Sequence, residues 1–132
     1  MPAITPLKRM VFTNFVNNLP RIVMVFVNAD KDVYFTENAI LDSGSNVLVI
    51  TKEVCEFLKQ APIKIKEAKN EISDAKFVVG TKDINVLYEK EKVYYSPTAI
   101  NISAGINPIF RDFDVTISFK DQKTILEPKT PS

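Results

Sequence analysis

Hydrophobic and polar positions change period several times along this chain, and each change marks an element. Residues 21–29, "RIVMVFVNA", are dense in Val, Ile and Phe and predict a strand. A polar turn, "NADKD", follows, and "VYFTENAIL" (33–41) predicts a second strand that runs straight into Asp42. "NVLVI" (46–50) predicts a third, short strand. The period then shifts. In "TKEVCEFLKQ" (51–60) Val54, Phe57 and Leu58 recur at i, i+3 and i+4, with Thr51 at the N-cap position and Glu53 in the first turn, which predicts a short helix.

After Pro62, "IKIKEA" (63–68) alternates as a strand does. "KNE" (69–71) predicts a turn, because Asn tolerates positive φ, and "ISDAKFVVG" (72–80) predicts the returning strand. "INVLY" (84–88) and "KVYYS" (92–96) predict strands separated by a solvated turn, "EKEK" (89–92). "PTAINISAGINP" (97–108) suits either a loop or a short helix. "FDVTISF" (113–119) alternates strongly, "KDQK" predicts a turn and "TIL" (124–126) a last strand. Three prolines within residues 1–20 (Pro2, Pro6, Pro20) mark that stretch as an arm, in which "RMVFTNFV" could pair as an edge strand. The tail "EPKTPS" (127–132) predicts a disordered linker. The expected division is an arm at 1–20, a mostly-β domain with one or two short helices at 21–126, and a tail at 127–132.

Composition narrows the chemistry. A chain of 132 residues, 45% apolar and 25% charged, is sized for one domain with an adequate core. Its 17 basic and 16 acidic residues are interspersed, so no charge block predicts a nucleic-acid or membrane surface. The start, "MPAITPLKRMVF", has no uninterrupted apolar core of the kind a signal peptide carries, and no run approaches a membrane span. One cysteine, Cys55, forms no intramolecular disulfide, which fits a reducing compartment such as the cytoplasm. The absence of histidine removes Ser–His and Cys–His nucleophiles and His-containing zinc sites, and a lone cysteine rules out a four-cysteine site. No metal or other cofactor is therefore expected, and any hydrolysis must rest on carboxylates.

One carboxylate stands out. "ILDSGSNVLVI" (40–50) sets Asp42 and two hydroxyls inside the most apolar stretch of the chain. Asp-Ser-Gly alone is an ordinary turn. Its flanks, however, are apolar and β-branched, which predicts a loop drawn toward the core. Gly44 permits a tight path beside the acid, and Ser43 and Ser45 supply hydroxyls that could satisfy a buried carboxylate.

With these residues in view, the chain resembles the retropepsin-like aspartic proteases, whose motif is apolar-apolar-Asp-Thr/Ser-Gly-Ala/Ser and stands here as "ILDSGS". The resemblance implies a flap hairpin about 25 residues beyond the acid; Ala68 lies 26 on and opens "AKNEISDAKFVVG", so Ala68, Lys69, Asn70 and Glu71 take the flap positions, with the tip at 69–71. Farther on, "KVYYSPTAINISAGINPIFRDFDVTISFKDQKTI" looks most like the proteases of copia-type retrotransposons. Tyr95 and Pro97 match a Tyr-x-Pro strand end, Asn101 to Ser103 a following helix, and Val115 to Phe119 the final strand. The likeness spans about residues 22–126. Asn70 stands where many relatives carry flap glycines, and "PIF" lacks the glycine of the family's apolar-apolar-Gly motif.

What the resemblance implies is a single-lobe acid protease: a retropepsin-like closed β-barrel that works as a homodimer. Each chain would give one Asp42 to a dyad, and Ser43 would lock the two loops across the dimer. Ser45 would donate to its own Asp42, and an extended polypeptide, the chain's own polyprotein, would lie between floor and flaps. Its setting would be the cytoplasm, including the interior of a virus-like particle, with no nucleic-acid or membrane partner. The alternative is a domain that keeps the fold as a dimerisation or peptide-binding module without cleaving. Cys55 reads as a packing residue, the aromatics Phe12, Phe15, Phe26, Phe35 and Phe57 as core or dimer interface, and Asp114 and Asp121 as surface acids; Arg111-Asp112 could mirror the arginine that braces the active-site loop in relatives, but one charged pair is weak evidence for that role over an ordinary surface pair.

Overall fold

The computed structural model describes residues 9–28, 30, 33–58, 63–66, 69–81 and 84–129. Among them run β1 (Met10–Phe12), β2 (Arg21–Asn28), β3 (Val33–Leu41), β4 (Val49–Ile50), helix α1 (Lys52–Leu58), β5 (Ile63–Lys66), β6 (Lys69–Gly80), β7 (Asn85–Tyr95), β8 (Ile102–Ala104), a kinked helical turn (Ile106–Phe110), β9 (Phe113–Ser118) and β10 (Lys123–Pro128). Strand order in the larger sheet is β2-β3-β8-β4-β7-β6-β5, and β2 also pairs with β6. That extra pairing closes six strands into a barrel and leaves β5 attached to β6 outside the ring.

Alternation fills the barrel. Ile22, Met24 and Phe26 of β2, Ala39 and Leu41 of β3, Ile72, Ala75, Phe77 and Val79 of β6, and Ile102 and Ala104 of β8 turn inward and are buried. Phe77 stacks on Tyr88 at 5.1 Å and lies 5.7 Å from Phe26. Helix α1 closes one side: its Val54, Cys55 and Leu58 are buried, Phe57 meets Phe35 at 5.3 Å, and Asn28 donates to the Phe57 carbonyl. Thr51 accepts from the Val54 amide as the N-cap, as its place in the sequence predicts. Burial raises the Cys55 thiol above its ordinary pKa, and neighbouring Glu56 adds to the effect. A second sheet, β1-β10-β9, packs Met10, Phe12, Phe113 and Leu126 into the same core.

Several expectations change. "EKEK" is not a turn: β7 runs unbroken from Asn85 to Tyr95. Between the pairs Phe77↔Tyr88 and Ala75↔Glu91 it carries one residue more than β6, and Lys90 takes φ 57°. The polar run holds a β-bulge and its charges are paired, Lys92 with Glu71 of β6 at 3.0 Å and Glu91 with Arg111, outside the sheet, at 3.2 Å. "KNE" is not a turn either. Lys69 to Glu71 begin β6, with Lys66↔Lys69 and Ile63↔Glu71 on one side and Glu71↔Tyr94 on the other. Ala68, the remaining flap position, lies outside the described residues. Of "NVLVI" only Val49–Ile50 is strand, and Asn101 to Ser103 lead into β8 rather than a helix. Glu127 and Pro128 of the tail extend β10, which is held between β9 and Met10–Phe12.

Candidate active site

Strand order decides where Asp42 sits. The chain leaves β3 at Leu41 and re-enters the sheet at β4, but β8 lies between these two strands, parallel to β3 and antiparallel to β4. Residues 42–48 must therefore cross the end of β8. They do so on backbone hydrogen bonds. The Asp42 amide donates to the Ala104 carbonyl at 2.9 Å, Ile106 donates to Ser45 O at 2.8 Å, and Asn107 donates to Asn46 O at 3.1 Å from both its amide and its side chain. Within the loop, the Ser45 amide returns to Asp42 O at 3.1 Å and closes a tight turn.

Gly105 makes the crossing possible. A Cβ there would stand 2.3 Å from Ser45 O and 2.6 Å from Val47 O. Its backbone, φ −102° and ψ −156°, is extended, so the demand for glycine is one of space alone. Gly105, which directly follows Ala104 at the end of β8, is thus the glycine that packs against the Asp42 loop. The Ala-Gly step after "NIS", in a chain with only three glycines, is the sequence signal for this crossing, and it falls in a stretch, 97–108, whose local pattern suits loop and helix alike.

The carboxylate is held differently from expectation. Asp42 Oδ1 accepts the Gly44 amide at 2.9 Å. The Ser45 hydroxyl instead donates to Val47 O at 2.9 Å and receives the Val47 amide at 3.4 Å, because the turn points it toward β4. Nor is the acid buried: Asp42, Ser43 and Gly44 are exposed, while Leu41 and Leu48 on either side are buried. The apolar flanks anchor the loop in the core and present its polar tip outward. A groove of about 200 Å³, bounded by Glu37, Thr51, Lys52, Glu53, Ala99 and Ile100, lies elsewhere, with Asp42 outside its lining. Of the predicted flap residues, Lys69, Asn70 and Glu71 lie along β6; the Glu71 carboxylate is paired with Lys92.

Arg111 does not brace this loop. It grips Asp112 through Nε at 2.9 Å and Nη2 at 2.8 Å and reaches Glu91, while Tyr88 donates to Asp112 Oδ2 at 2.8 Å. This cluster ties the bulged strand β7 to the segment entering β9. The Arg111 guanidinium holds the Asp112 carboxyl below its usual range, against partial burial, with the Tyr88 hydroxyl assisting. Burial first, then the hydrogen bond to Asp112, pushes the Tyr88 phenol well above its ordinary value. Asp114 and Asp121 are exposed, away from any such network. Among the described residues, no group of three or more His, Cys, Asp or Glu is placed to hold a metal ion.

No protein-family model matches the chain, and no curated protein matches it. Its structure is similar to that of a retropepsin-like aspartic protease from Rickettsia conorii, with a TM-score of 0.65 at 15% identity, covering 99% of both chains. It is also similar to the retroviral protease-like domain of Ddi1 from Leishmania major, with a TM-score of 0.52 at 14% identity, covering 86% of this chain and 94% of that one. At these identities the likeness speaks to the fold, and the chain has a retropepsin-like fold.

Proposed function

We propose that the chain is one half of a homodimeric aspartic endopeptidase in which Asp42 of each copy forms the catalytic dyad. The observation that carries this reading is the exposed Asp42 tip of a loop otherwise clamped by Ala104, Ile106 and Asn107, within a retropepsin-like fold. A rigid base beneath an exposed acid suits a group that must meet its own copy across a two-fold axis, where isologous contact sets equivalent residues face to face. Two carboxylates about 3 Å apart do not both ionise readily, so they share a proton. The ionised member takes a proton from water as that water attacks the scissile carbonyl, and the protonated member donates to the carbonyl oxygen. The apparent pKa values belong to the pair.

The Gly44 amide, bonded to Asp42 Oδ1, fixes the orientation of the carboxylate. Ser43, exposed beside it, is the residue proposed to bond across the axis. The β5–β6 hairpin is the proposed flap, through which an extended peptide adds main-chain hydrogen bonds. The substrate proposed is the chain's own polyprotein, of a retrotransposon or retrovirus-like element of the copia kind, in the cytoplasm or in a particle assembled there.

The test is cleavage of a flanking-sequence peptide between about pH 4 and 7, beside Asp42→Asn. Dimer formation with cleavage by wild type alone supports the reading. A stable dimer that cleaves nothing contradicts it and favours a peptide-binding module.

A further inference from the structure

Ile100 is 90% exposed, more than any other large apolar side chain among the described residues, and it borders the groove completed by Glu37, Thr51, Lys52, Glu53 and Ala99. Parallel register explains why these residues meet. Ala39 pairs with Ile102, so two residues earlier Ile100 comes opposite Glu37. Alternation sets Glu37 on the same side of β3 as Phe35, which packs on Phe57 of α1, and this turns its carboxylate toward the start of that helix. The walls are held by bonds of the chain's own. The Ser96 amide donates to Ile50 O and the Ala99 amide to Ser96 O, both at 3.2 Å, while Thr51 caps α1.

Charge along the groove is unbalanced. Lys52 is the one base in its lining, and its ammonium lies 4.0 Å from Glu56. Among the described residues neither Glu37, which is half-buried, nor the exposed Glu53 forms an ion pair. Two carboxylates beside an apolar wall complement a lysine or arginine side chain, whose methylene stem covers apolar surface while its head is drawn to acids. A hard divalent cation asks for more oxygens than two carboxylates and a hydroxyl supply. The volume of about 200 Å³ suits one long side chain. Glu37 precedes Asp42 by five residues, roughly 16 Å of extended strand, so the occupant is not a residue beside the scissile bond.

Resting on the peptidase reading, we infer that this groove is an exosite that holds a lysine or arginine side chain of the substrate polypeptide, about five residues from the scissile bond. In a two-fold dimer each chain carries one such groove, so the preference appears on both flanks of the cleavage site.

The experiment uses full-length protein and sixteen-residue peptides with a central reduced peptide bond (CH2–NH). Lys or Gln occupies one position at a time, about four to seven residues from that bond on either side. Calorimetry measures binding to wild type, to Glu37→Gln/Glu53→Gln and to the charge reversal Glu37→Lys/Glu53→Lys, the last also with Glu at the scanned position. Thermal denaturation checks each fold, and Glu53→Lys alone, on an exposed site, keeps the reversal readable if the pair does not fold. Wild type is expected to bind a Lys peptide about fivefold more tightly than its Gln counterpart at one position on each flank. The Gln variant should lose that ratio, and the Lys variants should turn it toward Glu at the same position. In amide spectra of labelled wild type, the difference between Lys and Gln peptides should fall on residues 51–53 and 99–100. An unchanged ratio in the folded Gln variant overturns the inference, as does an equal preference for Lys at every position or a spectral difference confined to other residues. The preference without cleavage of the matching amide peptides leaves the exosite in place and overturns the catalytic reading; cleavage without the preference does the reverse. Failure to bind any peptide overturns both.

Discussion

Substituting Gly105 by Ala tests the mechanical basis of the site. The added methyl would stand 2.3 Å from Ser45 O and 2.6 Å from Val47 O, both backbone atoms that no side-chain rotation relieves. Either β8 or the Asp42 loop must move. Overpacking of this kind costs about 1–3 kcal/mol. Displacement also lengthens the bonds from Ile106 to Ser45 O and Asn107 to Asn46 O. Each contributes roughly 0.5–1.5 kcal/mol net, and because the two are weakened and not lost they add about 1 kcal/mol, so a total of about 2–4 kcal/mol is expected. For a chain of this size that lowers Tm by about 8–16 °C. Gly44→Ala is the control: its Cβ meets only Asp42 Oδ1, at 3.2 Å, the free end of a side chain. It should cost less than about 1 kcal/mol. Thermal denaturation followed by circular dichroism distinguishes the two. A Gly105→Ala protein that melts within about 2 °C of wild type, or below which Gly44→Ala falls, refutes the loop crossing described here.

Three further outcomes follow from the side-chain networks. Ser45→Ala should lower stability by about 0.5–1.5 kcal/mol through its lost bond to Val47 O, and should leave the acidic limb of any pH–rate profile in place, since the hydroxyl does not touch Asp42. In a spectrophotometric alkaline titration, one tyrosine of the four should ionise after the rest, and Tyr88→Phe should remove it. Because the folded-state pKa of Tyr88 is raised, its contribution is complete below the ordinary phenol pKa and is lost as pH rises above that value. Asp112 shifts the opposite way: its lowered pKa contributes stability above the ordinary carboxylate pKa, lost as pH falls through the folded value, and Asp112→Asn should flatten that acid limb of a denaturation series.

How much of this was legible in the sequence depends on the kind of pattern. β2 and β3 were readable because their β-branched runs have no competing period, and α1 because its apolar spacing and Thr51 cap agree. "EKEK" and "KNE" mislead because local polarity signals a turn, whereas the residues are held in strands by partners remote in sequence, Ala75, Tyr94 and Tyr95 among them. The Asp42 motif was visible, but its exposure was not: apolar flanks anchor the loop without burying its tip. Gly105 acts through a contact with residues some sixty positions earlier, which periodicity cannot report.

The central claim, that one active site needs an Asp42 from each of two chains, is tested most directly by mixing. Wild type and Asp42→Asn are combined at fixed total concentration, well above the dimer dissociation constant, allowed to exchange, and assayed on one peptide. If both carboxylates are required, only wild-type homodimers cleave, and an equimolar mixture retains about one quarter of the activity. Retention of about one half would mean that each chain works with its own Asp42 alone, and would contradict the account.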